Sequence, residues 1–133
     1  MSDRYEELKE LTARFVDAFN RQDLDGVVSF FAEDAVYDDS RGNPHQGTEA
    51  IRDAFAPLLS GKIHFDDEDY FAEMGTDKVL TSWTLNLEAG GQPKKMRGLD
   101  ILQFRGDKII RKLAYCKADK PRLDDGWGGS YPY

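Results

Sequence analysis

The stretch Phe31-Ala32-Glu33-Asp34-Ala35-Val36-Tyr37-Asp38-Asp39 decides how the chain is read. Its second half, Ala35 to Asp39, reads as a short strand, and the pattern on either side of it differs in kind. Before it the period is helical: Leu8, Leu11, Phe15, Ala18 and Phe19 give an amphipathic helix from about Arg4 to Arg21. Asp23 caps a second, short helix carrying Leu24, Val27, Val28 and Phe31. After it comes a turn rich in Gly42, Asn43 and Pro44, then a third helix with Thr48 as N-cap and the stripe Ile51, Ala54, Phe55, Leu58 and Leu59. From Ile63 onward the period changes to alternation, with strands near 62–74, 78–89, 94–105 and 108–117. The links Gly75-Thr76-Asp77, Gly90-Gly91-Gln92-Pro93 and Gly106-Asp107 read as hairpin turns. Helices first and consecutive antiparallel strands afterwards predict an α+β domain.

The 133 residues suffice for one domain with its own core, read as 1–120, followed by a tail at 121–133 of turn residues with aromatic punctuation. Hydrophobic residues make up 40% and charged residues 32%, the balance of a soluble globular protein. A net charge of -7 argues against nucleic acid or an anionic membrane as partner. The acidic run Asp66-Asp67-Glu68-Asp69 reads as a solvated edge. The opening residues lack the apolar core of a signal peptide, and no apolar run approaches the roughly 20 residues of a membrane span, so a cytoplasmic protein is the expectation. One cysteine, Cys116, excludes an internal disulfide. His45 and His64 show no metal-ligand spacing, and no phosphate loop, nucleophile elbow or catalytic triad pattern is present, so no metal and no cofactor are expected.

Two aspartates stand out. Asp39 closes the first strand, and Asp100 interrupts Leu99-Asp100-Ile101-Leu102-Gln103-Phe104, where alternation calls for a hydrophobe. A carboxylate facing a packed interior is costly unless it is paired, hydrogen-bonded or protonated, which makes both candidates for acid–base chemistry in a pocket. Each has a plainer role as well. Asp39 precedes Ser40 and suits the capping of a loop. Asp100 has Arg97 and Lys112 as potential partners. Lys112 shares a face with Ala114 and Cys116, and pairing with it keeps Asp100 ionised.

From about Leu11 to Lys117 the order of elements resembles the nuclear transport factor 2-like superfamily, which includes ketosteroid isomerases and SnoaL-like polyketide cyclases. The resemblance rests on Asp23-Leu24-Asp25-Gly26-Val27-Val28, on the opening stretch from Phe31 to Asp39, on Gly47-Thr48-Glu49-Ala50-Ile51-Arg52, and on Leu99 to Phe104. It implies a cone-shaped α+β barrel, with three N-terminal helices packed on a curved, mainly antiparallel sheet and a pocket at the open end. By position it puts Asp39 where these isomerases hold their base, and Asp100 on the neutral acid that donates to the developing enolate. That division of roles is a known one for ketosteroid isomerase. The resemblance also puts phenylalanines, Phe15, Phe31 and Phe55, where the isomerases have tyrosines, and Cys116 where they have a wall tryptophan. Loss of one oxyanion donor costs about 10²–10³-fold in rate.

The resemblance thus implies a cofactor-independent enzyme moving a proton through an enol or enolate in a small apolar carbonyl substrate. Isomerisation of a steroid-like enone and cyclisation of a polyketide-like chain are its two versions. Asp39 and Asp100 are the expected catalytic pair. Phe15, Phe19, Phe31, Tyr37, Phe55, Trp83, Leu85, Lys112 and Cys116 are the expected ligand-binding residues. The alternative is a non-catalytic protein that binds a small hydrophobic ligand, favoured by the missing tyrosines; a protein-interaction module is a third class. An epoxide hydrolase of this fold needs an Asp-Arg-Asp set, of which Arg97 and Asp100 supply part and the third member is not evident. The resemblance further implies a homodimer through the convex face of the sheet.

Overall fold

The computed structural model describes residues 3–117. Three helices, α1 (Asp3–Asn20), α2 (Leu24–Ser29) and α3 (Thr48–Leu59), pack on a six-stranded sheet. Its strands are β1 (Phe31–Asp38), β2 (Pro44–Gln46), β3 (Ile63–Glu73), β4 (Lys78–Ala89), β5 (Gln92–Arg105) and β6 (Lys108–Cys116). They run in the order β2-β1-β6-β5-β4-β3. β1 is parallel to β6 and every other neighbouring pair is antiparallel. The sheet is curved and unclosed, giving the α+β cone that the family resemblance implies.

One face of the sheet meets the helices and holds the core. Leu8, Leu11, Phe15, Ala18 and Phe19 recur every three or four residues, so α1 buries one stripe in the core that it shares with Val79 of β4 and Leu102 and Phe104 of β5. Phe15 is 2% exposed, and burial of a ring of this size contributes about 1.5–3 kcal/mol. Both ends of α1 are tied to the sheet. Arg4 reaches the carboxylate of Asp77 and the carbonyl of Gly106, joining the β3–β4 and β5–β6 turns. At the other end Asn20 exchanges two hydrogen bonds with the Phe65 backbone. The run Asp66-Asp67-Glu68-Asp69 is exposed on edge strand β3, beside a bulge between Asp67 and Tyr70. Charges and a bulge both discourage pairing with another strand.

The structure corrects several local expectations. Phe31 is not the last turn of α2 but the first residue of β1, because it pairs with Ile109 of β6. Pro44 is not simply part of a turn: Pro44, His45 and Gln46 pair with Asp38, Tyr37 and Val36. Gln92 and Pro93 likewise pair with Ala89 and Glu88, which shortens the β4–β5 turn. The N-cap of α3 is Gly47 rather than Thr48; its φ of 89° is a conformation that favours glycine. Asp38 points away from Tyr37, yet its Oδ1 is buried with no hydrogen-bond partner. The tail at 121–133 and the domain boundary at 120 lie outside the described residues. No helix among the described residues is long and apolar enough to cross a membrane.

Candidate active site

Between the sheet and helices α1 and α3 lies a cavity of about 210 Å³. The two-residue period of the strands puts Trp83 and Leu85 of β4, Asp100 of β5, and Lys112 and Cys116 of β6 on its wall. Phe15 and Phe19 of α1, Phe55 of α3 and Tyr37 of β1 complete it. Nine of the eleven residues expected from the sequence therefore meet at one cavity. Phe31 and Asp39 do not. Phe31 is core, packed between the rings of Phe15 and Phe55 at 5.6 and 6.1 Å.

Asp100 lies opposite Thr81 of β4 and Ala114 of β6, so Trp83 and Lys112 are its diagonal neighbours on the same face. Trp83 Nε1 donates to Asp100 Oδ2 and Lys112 Nζ donates to Oδ1, both at 3.1 Å. Asp100 and Lys112 are only 7% and 5% exposed. The Lys112 ammonium also lies 4.5 Å from the Tyr37 ring centroid and 5.4 Å from that of Phe55, close enough for cation–π attraction. Both Asp100 oxygens are thus acceptors, the pattern of a carboxylate rather than of a neutral donor. Of the two roles open to Asp100, the geometry favours the one in which Lys112 pairs with it.

The Trp83 contact depends on Gly98, its cross-strand partner. A Cβ at Gly98 would stand 2.5 Å from Trp83 Cη2 and 2.5 Å from the Tyr115 carbonyl oxygen. Without a side chain there, the indole crosses β5 and reaches Asp100.

Asp39 follows the last residue of β1, and its neighbour Ser40, not Asp39 itself, is on the wall. Its Oδ1 accepts the backbone N–H groups of Arg41 and Asn43 at 2.9 Å, and its Oδ2 is 3.0 Å from His45 Nε2. Desolvation works to raise its pKa, but the His45 contact and the two amides outweigh it and hold the group at about 2. A carboxylate held so low is a weak base near neutrality and suits an anchoring role. His45 in turn stacks on Tyr37 at 5.4 Å, and Tyr37 on Phe55 at 4.5 Å.

Burial, with the fields of Asp100 and Asp39 behind it, pushes the Tyr37 phenol upward. Burial also pushes the Cys116 thiol up, against a hydrogen bond with Ser40. Both groups therefore stay neutral near pH 7. Among the described residues, no group of three His, Cys, Asp or Glu is placed to hold a metal ion.

Several residues of the site are absent from the expected set, among them His45 as the partner of Asp39, Gly98 beneath the indole, and Met96 on the wall. Of these three, Met96 carries a local signal, since it lies four residues before Asp100 on the same strand and hence on the same face.

The site is thus an apolar cavity with a buried lysine–aspartate pair on its wall. The chain belongs to the SnoaL-like domain family, whose model matches residues 12–112. Among individual proteins, the epoxide hydrolase LasB of Streptomyces lasalocidi is 32% identical over 111 residues. That match covers 79% of this chain but 39% of LasB. Among solved structures, the epoxide hydrolase/cyclase-like enzyme SalBIII, which has a role in pyran ring formation in the polyether salinomycin, superposes with a TM-score of 0.79 at 19% identity. That superposition covers 88% of this chain and 95% of SalBIII. A putative polyketide cyclase of Xanthomonas campestris pv. campestris superposes with a TM-score of 0.75 at 20% identity, covering 91% and 94% of the two chains. At these identities the structural matches speak to the fold.

Proposed function

We propose that the protein is an acid–base enzyme of the cyclase/isomerase type whose two reacting groups are Asp100 and Lys112. The observation that carries this reading is the 3.1 Å contact between a buried carboxylate and a buried ammonium on the wall of an otherwise apolar cavity. Asp100 takes a proton from one atom of the substrate while Lys112 gives one to an oxygen. The proton then returns from Asp100 to Lys112 across their hydrogen bond, so the site is restored without a net change. The Trp83 N–H keeps the carboxylate aimed during this exchange.

The substrate that best suits such a pair is an epoxide on a small apolar chain. Asp100 deprotonates the attacking hydroxyl or water, and Lys112 protonates the epoxide oxygen as its carbon–oxygen bond breaks. The product is a cyclic ether or a diol. The similarity to LasB supports this choice over an enone or enolate. The enol(ate) reaction would use the same two groups, with Lys112 rather than a neutral Asp100 facing the enolate oxygen. It draws less support, because Phe15 and Phe55 stand where the resembling isomerases carry tyrosines.

The test is turnover of a γ,δ-epoxy alcohol with an apolar chain, followed by NMR. Positioned acid–base groups contribute about 10²–10⁴-fold, so Asp100→Asn and Lys112→Met should each lose at least about 10²-fold in kcat. Conversion by folded variants at the wild-type rate would overturn the reading.

A further inference from the structure

The wall carries few neutral hydrogen-bond donors. The Trp83 N–H goes to Asp100. Of the others, Tyr37, Ser40 and Cys116, Tyr37 carries the largest side chain and the one most firmly held.

Its ring is held by three elements. Tyr37 pairs with His45 of β2 on one side and with Lys112 of β6 on the other. Phe55 of α3 packs on it at 4.5 Å with the planes 21° apart. His45 stacks at 5.4 Å and is itself fixed by Asp39, whose carboxylate is pinned by two backbone amides. A small aromatic side chain does not need an anchored carboxylate and an imidazole behind it merely to fill space. Such support keeps a polar group aimed, as a binding site requires.

We propose that Tyr37 is the ligand-orienting donor of this cavity and selects apolar molecules with a neutral oxygen head, such as alcohols, phenols and ethers. Asp39 and His45 are its positioning residues. The proposal deepens the acid–base reading and rests on the same cavity: the phenol holds the substrate oxygen beside the Lys112–Asp100 pair. The phenol stays neutral because of its burial and the two nearby carboxylates, so it donates rather than ionises.

The test measures equilibrium binding, so its failure is separable from any failure of epoxide turnover. β-Naphthol and naphthalene serve as probes with and without the oxygen head, titrated calorimetrically into wild type, Tyr37→Phe and His45→Gln at neutral pH. Wild type should bind the naphthol more tightly, and Tyr37→Phe should weaken it by about three- to tenfold, the worth of one hydrogen bond, while leaving naphthalene unchanged. His45→Gln keeps the hydroxyl but loosens the ring, and should give a smaller loss confined to the naphthol. Tyr37→Phe weakening both probes equally would mark Tyr37 as plain wall and overturn the proposal. So would an unchanged naphthol affinity, or a wild type that binds neither probe or fails to distinguish them.

Discussion

Replacement of Lys112 by methionine keeps the length and most of the apolar stem of the side chain and removes the charge. Asp100, 7% exposed, then retains the Trp83 N–H as its donor. Breaking a buried ion pair by removing one partner costs about 3–5 kcal/mol, because the other charge is left desolvated. With an unfolding entropy of about 2.1 cal/mol/K per residue, the 133-residue chain loses about 0.28 kcal/mol per kelvin near its midpoint. The expected fall in Tm at pH 7 is therefore about 11–18 °C. The double variant Lys112→Met/Asp100→Leu has no charge to strand and should regain most of the loss, since apolar replacements of buried pairs are commonly neutral or stabilising. Urea and thermal unfolding of the two single variants, the double variant and wild type complete the cycle. A Lys112→Met cost under about 1 kcal/mol, or a double variant no more stable than the single one, would refute a desolvated pair.

Gly98→Ala forces a methyl group to 2.5 Å from both the Trp83 ring and the Tyr115 carbonyl, so the indole must leave Asp100. A loss of about 1–3 kcal/mol is expected, with a changed Trp83 emission in a Trp127→Phe background, and unchanged emission would count against the role given to Gly98. Asp39 is held at about 2 in the folded protein, below its ordinary value near 3.9, so its stabilisation is complete above that value and is lost as the pH falls toward 2. Asp39→Asn should remove that part of the acid limb, on the order of 1–2 kcal/mol after solvent screening, and an unaltered slope of unfolding free energy between pH 2 and 5 would contradict it. On the outer face of the sheet, Phe71, Leu80, Ile101 and Leu113 stand in register across four strands, and Phe71 is 57% exposed. We propose that this row pairs two copies: sedimentation of wild type should give twice 15.1 kDa and Ile101→Arg a single chain, and a 15.1 kDa wild type at micromolar concentration would defeat the proposal.

The fold was legible because its two halves use different periods. Leu8, Leu11, Phe15 and Phe19 can share a face only as a helix, and Val79, Thr81, Trp83 and Leu85 only as a strand. The same alternation pointed Asp100, Trp83 and Lys112 toward one interior. Pairing is beyond what alternation can supply. β2 is three residues long, too short to show a period, so nothing local announced that His45 lies opposite Tyr37 and beside Asp39. With His45 unplaced, Asp39 read as an open base; with it in place, the carboxylate has three polar contacts. Gly98 was silent for a similar reason, since the need for an absent side chain is felt only once Trp83 is packed across it.

The two aspartates show how one residue type takes different work from its surroundings. Each accepts on both carboxyl oxygens, but the donors differ in what they leave free. Two of those on Asp39 are backbone amides closing its own loop, which cannot exchange protons with a substrate; against desolvation, His45 and these amides hold its pKa at about 2. The donors on Asp100 are side chains from two other strands, and one of them, the Lys112 ammonium, can itself give up a proton. Acid–base work needs a partner that can take part in the transfer. Lys112 meets that need for Asp100 and His45 meets it for Asp39, but of these four only Asp100 and Lys112 line the cavity, which is why we propose the chemistry there.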